Sequence, residues 1–153
     1  MPWCLAPALA VFAVLSVALT VVDVRTHRLP DGILLPGGGI VLVLMAGAAA
    51  VTGSPHRLMG LGGGVVAAFV VCLAVHLARP AAFGGGDVKL AAVCGGVLGW
   101  VGPEAVASGI ALAFVAGGMA GAGAVAAGAR GTTLAFGPFL LGATWVRLLS
   151  GPW

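Results

Sequence analysis

The sequence predicts an all-α polytopic membrane protein: one domain over residues 1–153, folded as a bundle of about six transmembrane helices. Three observations carry this prediction. Hydrophobic residues make up 61% of the chain and charged residues 7%, against roughly 25% charged in water-soluble domains. The few charges divide the chain into long uncharged runs, and crossing about 30 Å of hydrocarbon takes about 20 apolar residues. The basic residues then fall unequally on the two sides that those runs define, as topology determinants do.

Met1–Val22 is the first run. A cleaved signal peptide needs a positively charged segment ahead of its apolar stretch, and the first basic residue here is Arg25. The positive flank follows the run, which predicts a retained helix with its N-terminus outside. Ile33–His56 and Leu58–Ala78 supply the second and third spans. The fourth, Leu90–Pro103, is short: its 14 residues at 1.5 Å each reach about 21 Å. It becomes a full span only by taking in Gly84–Lys89, which draws Asp87 below the membrane surface. Ala105–Ala129 and Gly131–Val146 complete the six.

With the N-terminus outside, Asp23–Gly32, Arg79–Gly86 with Lys89, and Gly128–Gly131 face the cytoplasm. These segments hold Arg25, Arg28, Arg79, Lys89 and Arg130, against Arg57 and Arg147 on the other side. The imbalance agrees with the positive-inside rule. Two helices separate Asp23 from Asp87, so both acids end on the cytoplasmic face. Seven Lys/Arg against four Asp/Glu is too small and dispersed an excess for nucleic-acid binding. Cys4, Cys72 and Cys94 form no CxxC pair and lie in apolar runs, where a free Cys packs as a small hydrophobe. The composition indicates no metal site and no cofactor; the lipid bilayer is the expected surrounding. Gly60-x-x-x-Gly64, Gly95-x-x-x-Gly99 and Gly117-x-x-x-Gly121 have the small-residue spacing that lets membrane helices approach closely.

Four carboxylates are all the acid in the chain. Ionisable groups inside or at the rim of hydrocarbon are costly and mark function. Asp23 joins directly to Val21-Val22, and Asp87 closes Gly84-Gly85-Gly86-Asp87 between two apolar stretches. Around Asp23, Pro30 and Asp31 read as the start of the second helix, with the acid near the N-terminal dipole. The glycine run is no phosphate loop, since the Gly-Lys-Ser/Thr pattern is missing and an acid stands where an anion would sit. Consecutive glycines instead weaken a helix start and leave room for another backbone. That suits an extended substrate, while Lys89 snorkels to the interface. His27 reads as a solvated loop residue, with pairing to an acid or contact with substrate as the competing reading, and His56 as solvated on the outer loop. His76 reads as snorkelling near the cytoplasmic end of the third helix, with contact to the site as the competing reading. Glu104, after Pro103, needs only a role at a helix start on the outer side.

Together these residues resemble the prepilin peptidase family of GxGD-type membrane aspartyl proteases. The resemblance rests on Asp23 in D-x-R-x-x-x-L-P-D, on Gly84-x-Gly86-Asp87-Val88-Lys89-Leu90, and on Phe136-Gly137-Pro138-Phe139-Leu140 late in the chain. It implies a GxGD protease bundle that cuts the short basic leader of type IV pilin-like precursors on the cytoplasmic side. It maps the family's two catalytic aspartates onto Asp23 and Asp87. Gly84, Gly86, Lys89, Asp31, Gly137 and Pro138 become supporting or substrate-binding candidates, with Asp31 as a candidate reader of the leader's positive charge. Family members often add a cytoplasmic domain with paired cysteines and a methyltransferase activity. This chain has no CxxC and no hydrophilic insertion between its first two helices. It therefore resembles the short, peptidase-only form found with tight-adherence pilus systems, and methylation is not expected.

The chemistry fits the residues. Two nearby carboxylates cannot both ionise cheaply, so they share a proton and titrate as a pair. One acts as base toward water while the other polarises the scissile carbonyl. None of Ser16, Ser54, Ser108 and Ser150 lies beside a base that would make it a nucleophile. A rival reading is a proton- or ion-coupled transporter using the same acids at a midplane site, since glycine-interrupted helices occur there too. Both acids lie toward one face, however, and the two halves show no corresponding repeat. A small structural subunit leaves both carboxylates unexplained.

Overall fold

The computed structural model describes residues 3–80, 83–128 and 135–151. After a 3-10 turn at Trp3–Leu5, the described residues form six helices: α1 (Ala6–Thr26), α2 (Asp31–Val51), α3 (Pro55–Ala78), α4 (Gly85–Gly99), α5 (Pro103–Ala126) and α6 (Gly137–Ser150). The fold is all-α and polytopic. Four helices, α1 with its leading turn, α2, α3 and α5, are long and apolar enough to cross a membrane, with mean hydropathy from 1.8 to 2.5. Arg130 and Gly131, used above to orient the last cytoplasmic loop, lie outside the described residues.

The hub of the bundle is α4, which packs on α2, α3, α5 and α6. Its residues from Val93 to Gly99 are buried on every side, the pattern of a helix apolar all round. This explains a length that the sequence alone left anomalous. The helix does take in Gly85–Lys89, but it stops at Gly99, and its 15 residues reach only about 22 Å. The expected full span is not completed, because α4 is sheathed by protein rather than by lipid.

Glycine makes the tightest contact in the bundle. A Cβ at Gly64 would fall on the Gly95 carbonyl, and one at Gly60 on that of Gly99. The first two glycine pairs are therefore one interlocked seam between α3 and α4, as their spacing predicts. The third pair is not such a seam. Gly117 makes room for the Phe136 ring, whereas Gly121 faces open space.

Helix α6 departs from its predicted run of Gly131–Val146, starting at Gly137 and continuing past Arg147 to Ser150. Gly137 and Pro138 begin this helix, and Pro is well suited to the first turn. It is tied to α1 by Trp145, whose Nε1–H donates to Ser16 Oγ at 3.1 Å, and whose ring lies 5.4 Å from that of Phe12. Helices α1 and α4 do not pack against each other; α2 and α6 each touch both. At the opposite end of the bundle from Asp23 and Asp87, Arg57 stacks over the Trp100 ring at 4.8 Å. There Glu104 sits exposed in the first turn of α5, without a capping hydrogen bond.

Candidate active site

Helix α1 continues four residues beyond the expected boundary at Val22, so Asp23 lies within its last turn and is buried, 4% exposed. His27 ends the helix in the left-handed conformation (φ 51°), and its N–H donates to the Asp23 carbonyl at 2.8 Å. Burying a carboxylate is expensive unless it is hydrogen-bonded. The partner here is the Gly137 N–H, which donates to Asp23 Oδ2 at 2.9 Å. An N–H in the first turn of a helix has no partner within that helix and favours negative charge. Glycine at 137 also leaves the acid its room: a Cβ there would stand 2.6 Å from the same carboxylate oxygen.

Asp87 is the third residue of α4. Its Oδ2 accepts the Gly84 N–H at 3.2 Å, while the Asp87 N–H donates to the Gly84 carbonyl at 3.1 Å. This is the acid's half of a capping box, the other half being impossible because Gly84 has no side chain. Among the described residues no hydrogen bond engages Oδ1 of either acid, and neither acid has a cation within ion-pair distance.

Asp23 and Asp87 line one cavity of about 500 Å³ with His27, Arg28, Leu29, Asp31, Gly84, Gly85, Gly86 and Lys89. The ends of α1, α2 and α4 converge on it. Gly86 lets the chain cross closely: a Cβ there would lie 2.9 Å from that of Leu29. At the cavity wall Lys89 Nζ meets Asp31 Oδ2 at 2.6 Å, both side chains being about half exposed. Asp31 is the first residue of α2, after Pro30, as its place in the sequence predicts.

Six of the eight candidates thus share a single cavity, and Gly137 backs one of its acids. Pro138 lies elsewhere, on an apolar groove of about 440 Å³ between α1 and α6 with Thr20 and Trp145. His76 does not line the cavity, but its Nδ1–H donates to the Phe83 carbonyl at 2.6 Å; a carbonyl only accepts, which fixes the tautomer. Cys72 and Cys94 are buried and free. Among the described residues no group of three His, Cys, Asp or Glu gathers to hold a metal ion.

Three contributors had no role of their own in the sequence reading: Leu29 and Phe136, which stand inside the quoted motifs, and Phe83. Phe83 and Phe136 precede Gly84 and Gly137, and their rings meet at 5.0 Å in an edge-to-face arrangement. The recurring Phe-Gly dipeptide was the available signal.

Chemically, the cavity offers two carboxylates, each with one oxygen held by a backbone N–H, beside a surface that glycine leaves open. Two carboxylates on one cavity can exchange protons with a molecule bound there. Searches of curated proteins and of solved structures return no match, but the model of the type IV leader peptidase family matches residues 10–145. That span contains Asp23, Asp87 and Gly137 and most of the chain, and the chain belongs to the type IV leader peptidase family.

Proposed function

We propose that the chain is an aspartic endopeptidase that removes the leader of a type IV pilin-like precursor, activating water between Asp23 and Asp87 at the cytoplasmic face. The observation that carries this reading is the shared cavity, in which two carboxylates from different helices face the same space. One carboxylate takes a proton from water, whose oxygen attacks the scissile carbonyl carbon. The other, protonated, donates to the carbonyl oxygen. The tetrahedral intermediate then collapses as the carboxyl that took the water proton passes it to the departing amine and the other carboxylate recovers its proton from the hydroxyl, and no covalent enzyme intermediate forms. Gly137 and Gly84 hold one oxygen of each acid, so the geometry is set before substrate arrives.

The rest of the cavity suits such a substrate. No atom crowds the position a Cβ would take at Gly85, so an extended peptide can lie against that backbone. The exposed Asp31 carboxylate, paired with Lys89, can exchange that partner for a basic residue of the leader. With the N-terminus outside and two helices between the acids, these groups face the cytoplasm in this reading, in keeping with the side carrying Arg25, Arg28, Arg79 and Lys89. With no CxxC pair and no hydrophilic insertion between α1 and α2, the chain is read as a peptidase without methyltransferase activity. Both acids sit at helix ends, in the last turn of α1 and the first of α4, which suits a surface protease better than a midplane transport site.

The test is reconstitution of the purified chain in lipid vesicles with a synthetic pilin-like precursor. Mass spectrometry is expected to find a cut behind the basic leader and, with a methyl donor present, an unmethylated new N-terminus. An intact precursor together with Asp87-dependent ion flux would overturn the proposal in favour of transport.

A further inference from the structure

Helices α1 and α4 carry the two acids yet do not pack on each other. Their carboxylates must therefore be held in register by something else. Each acid is fixed by the N–H of a glycine that directly follows a phenylalanine: Gly84 after Phe83 for Asp87, and Gly137 after Phe136 for Asp23. The two rings touch edge to face, with centroids 5.0 Å apart, a preferred aromatic geometry. Phe114 of α5 closes the triangle, 5.7 Å from Phe83 and 5.2 Å from Phe136.

We propose that Phe83 and Phe136 are positioning residues: an aromatic bridge that joins the two carboxylate-holding glycine N–H groups into one unit and so sets the relative placement of Asp23 and Asp87. The bridge rests on the dyad reading above. Its two ends are anchored from outside the pair. His76 holds the Phe83 carbonyl at 2.6 Å, and Gly117 leaves the Phe136 ring its seat, since a Cβ there would lie 2.6 Å from Cε2. Leu29 against Gly86 is a second link between the helices, but it contacts neither hydrogen-bond donor. A displaced ring moves the following N–H, and the carboxylate follows. Misplacement on the scale of 1 Å costs about 100-fold in rate while leaving substrate contacts intact.

The experiment measures kcat and KM for leader cleavage by Phe83→Leu, Phe136→Leu, the double variant, and Gly117→Ala, with Gly121→Ala as control because its Cβ would meet open space. Each is read on the monodisperse, folded fraction. The bridge predicts a fall in kcat of about 10- to 100-fold for each single change, with KM within about twofold. It also predicts a double variant scarcely worse than the poorer single, because groups acting as a unit are non-additive. Gly121→Ala retains full activity. If either double or single Phe variant fails to fold, Gly117→Ala alone carries the test, since it adds one methyl against the ring. Unchanged kcat in Gly117→Ala and Phe136→Leu, or losses that multiply in the double variant, would overturn the bridge. Asp23→Asn and Asp87→Asn measured alongside separate the two ideas. Inactive Asn variants beside fully active Phe variants refute the bridge alone, whereas active Asn variants refute the dyad beneath it.

Discussion

Gly137→Ala is the sharpest single-methyl perturbation the site offers. The added Cβ would stand 2.6 Å from Asp23 Oδ2 and 3.3 Å from its Cγ. To reach ordinary contact, the carboxylate or the start of α6 must yield by about 0.8 Å. Displacement of a catalytic group on that scale lowers the rate by roughly 30- to 100-fold, which corresponds to about 2–3 kcal/mol of lost transition-state stabilisation. The fold should tolerate the change. Alanine is the better helix former by up to about 1 kcal/mol, which offsets part of an overpacking cost of about 1–3 kcal/mol. Leader cleavage by the reconstituted variant should therefore fall in kcat while thermal unfolding in detergent shifts by only a few degrees. Gly142→Ala on the same helix, where a Cβ meets nothing within 4 Å, should be fully active. Wild-type kcat in folded Gly137→Ala would refute the argument that this contact sets the position of a working carboxylate.

Other substitutions test other links. Gly64→Ala drives a methyl into the Gly95 carbonyl and should prevent α3 and α4 from closing, whereas Gly63→Ala meets open space; thermal unfolding in detergent should collapse for the first and hold for the second. Asp31→Asn removes an ion pair whose side chains are 54% and 41% exposed, so stability should change by less than about 1 kcal/mol, while KM for a basic leader should rise. Equal KM would remove Asp31 from substrate recognition. His76→Ala should reduce kcat, and His76→Asn, which can present an N–H at a similar place, should restore much of it; equal loss in both variants would show that the bond to Phe83 is not what matters.

Much of this protein is legible in its sequence because a membrane penalises charge so heavily. Asp23 and Asp87 stand out among apolar runs, and counting the helices between them brings them to one end of the bundle, where they share a cavity. The glycine pairs of α3 and α4 are equally readable, since close approach is the physical use of that spacing. Legibility fails where tertiary surroundings decide. The shortness of α4 reads as a question of depth in the bilayer, and its burial by four neighbouring helices was not legible beside it. Gly121 has the spacing of a contact residue but no neighbour, and Pro138 belongs to an apolar groove because α6 starts one residue earlier. The ring contacts of Phe83 and Phe136 join residues 53 positions apart, and no local periodicity marks them.

The central claim, that Asp23 and Asp87 act together on water, is tested most directly by exchanging each for asparagine. Asn keeps the shape and can still accept the Gly137 or Gly84 N–H through its carbonyl oxygen, but it cannot serve as base or acid. The measurement is the rate of leader cleavage by purified, reconstituted Asp23→Asn and Asp87→Asn, with unfolding temperature as the check on folding. The account predicts folded protein and a rate lowered by about 10²–10⁴ for each variant, with the double variant no worse than the singles. Processing at the wild-type rate by either folded variant would contradict it.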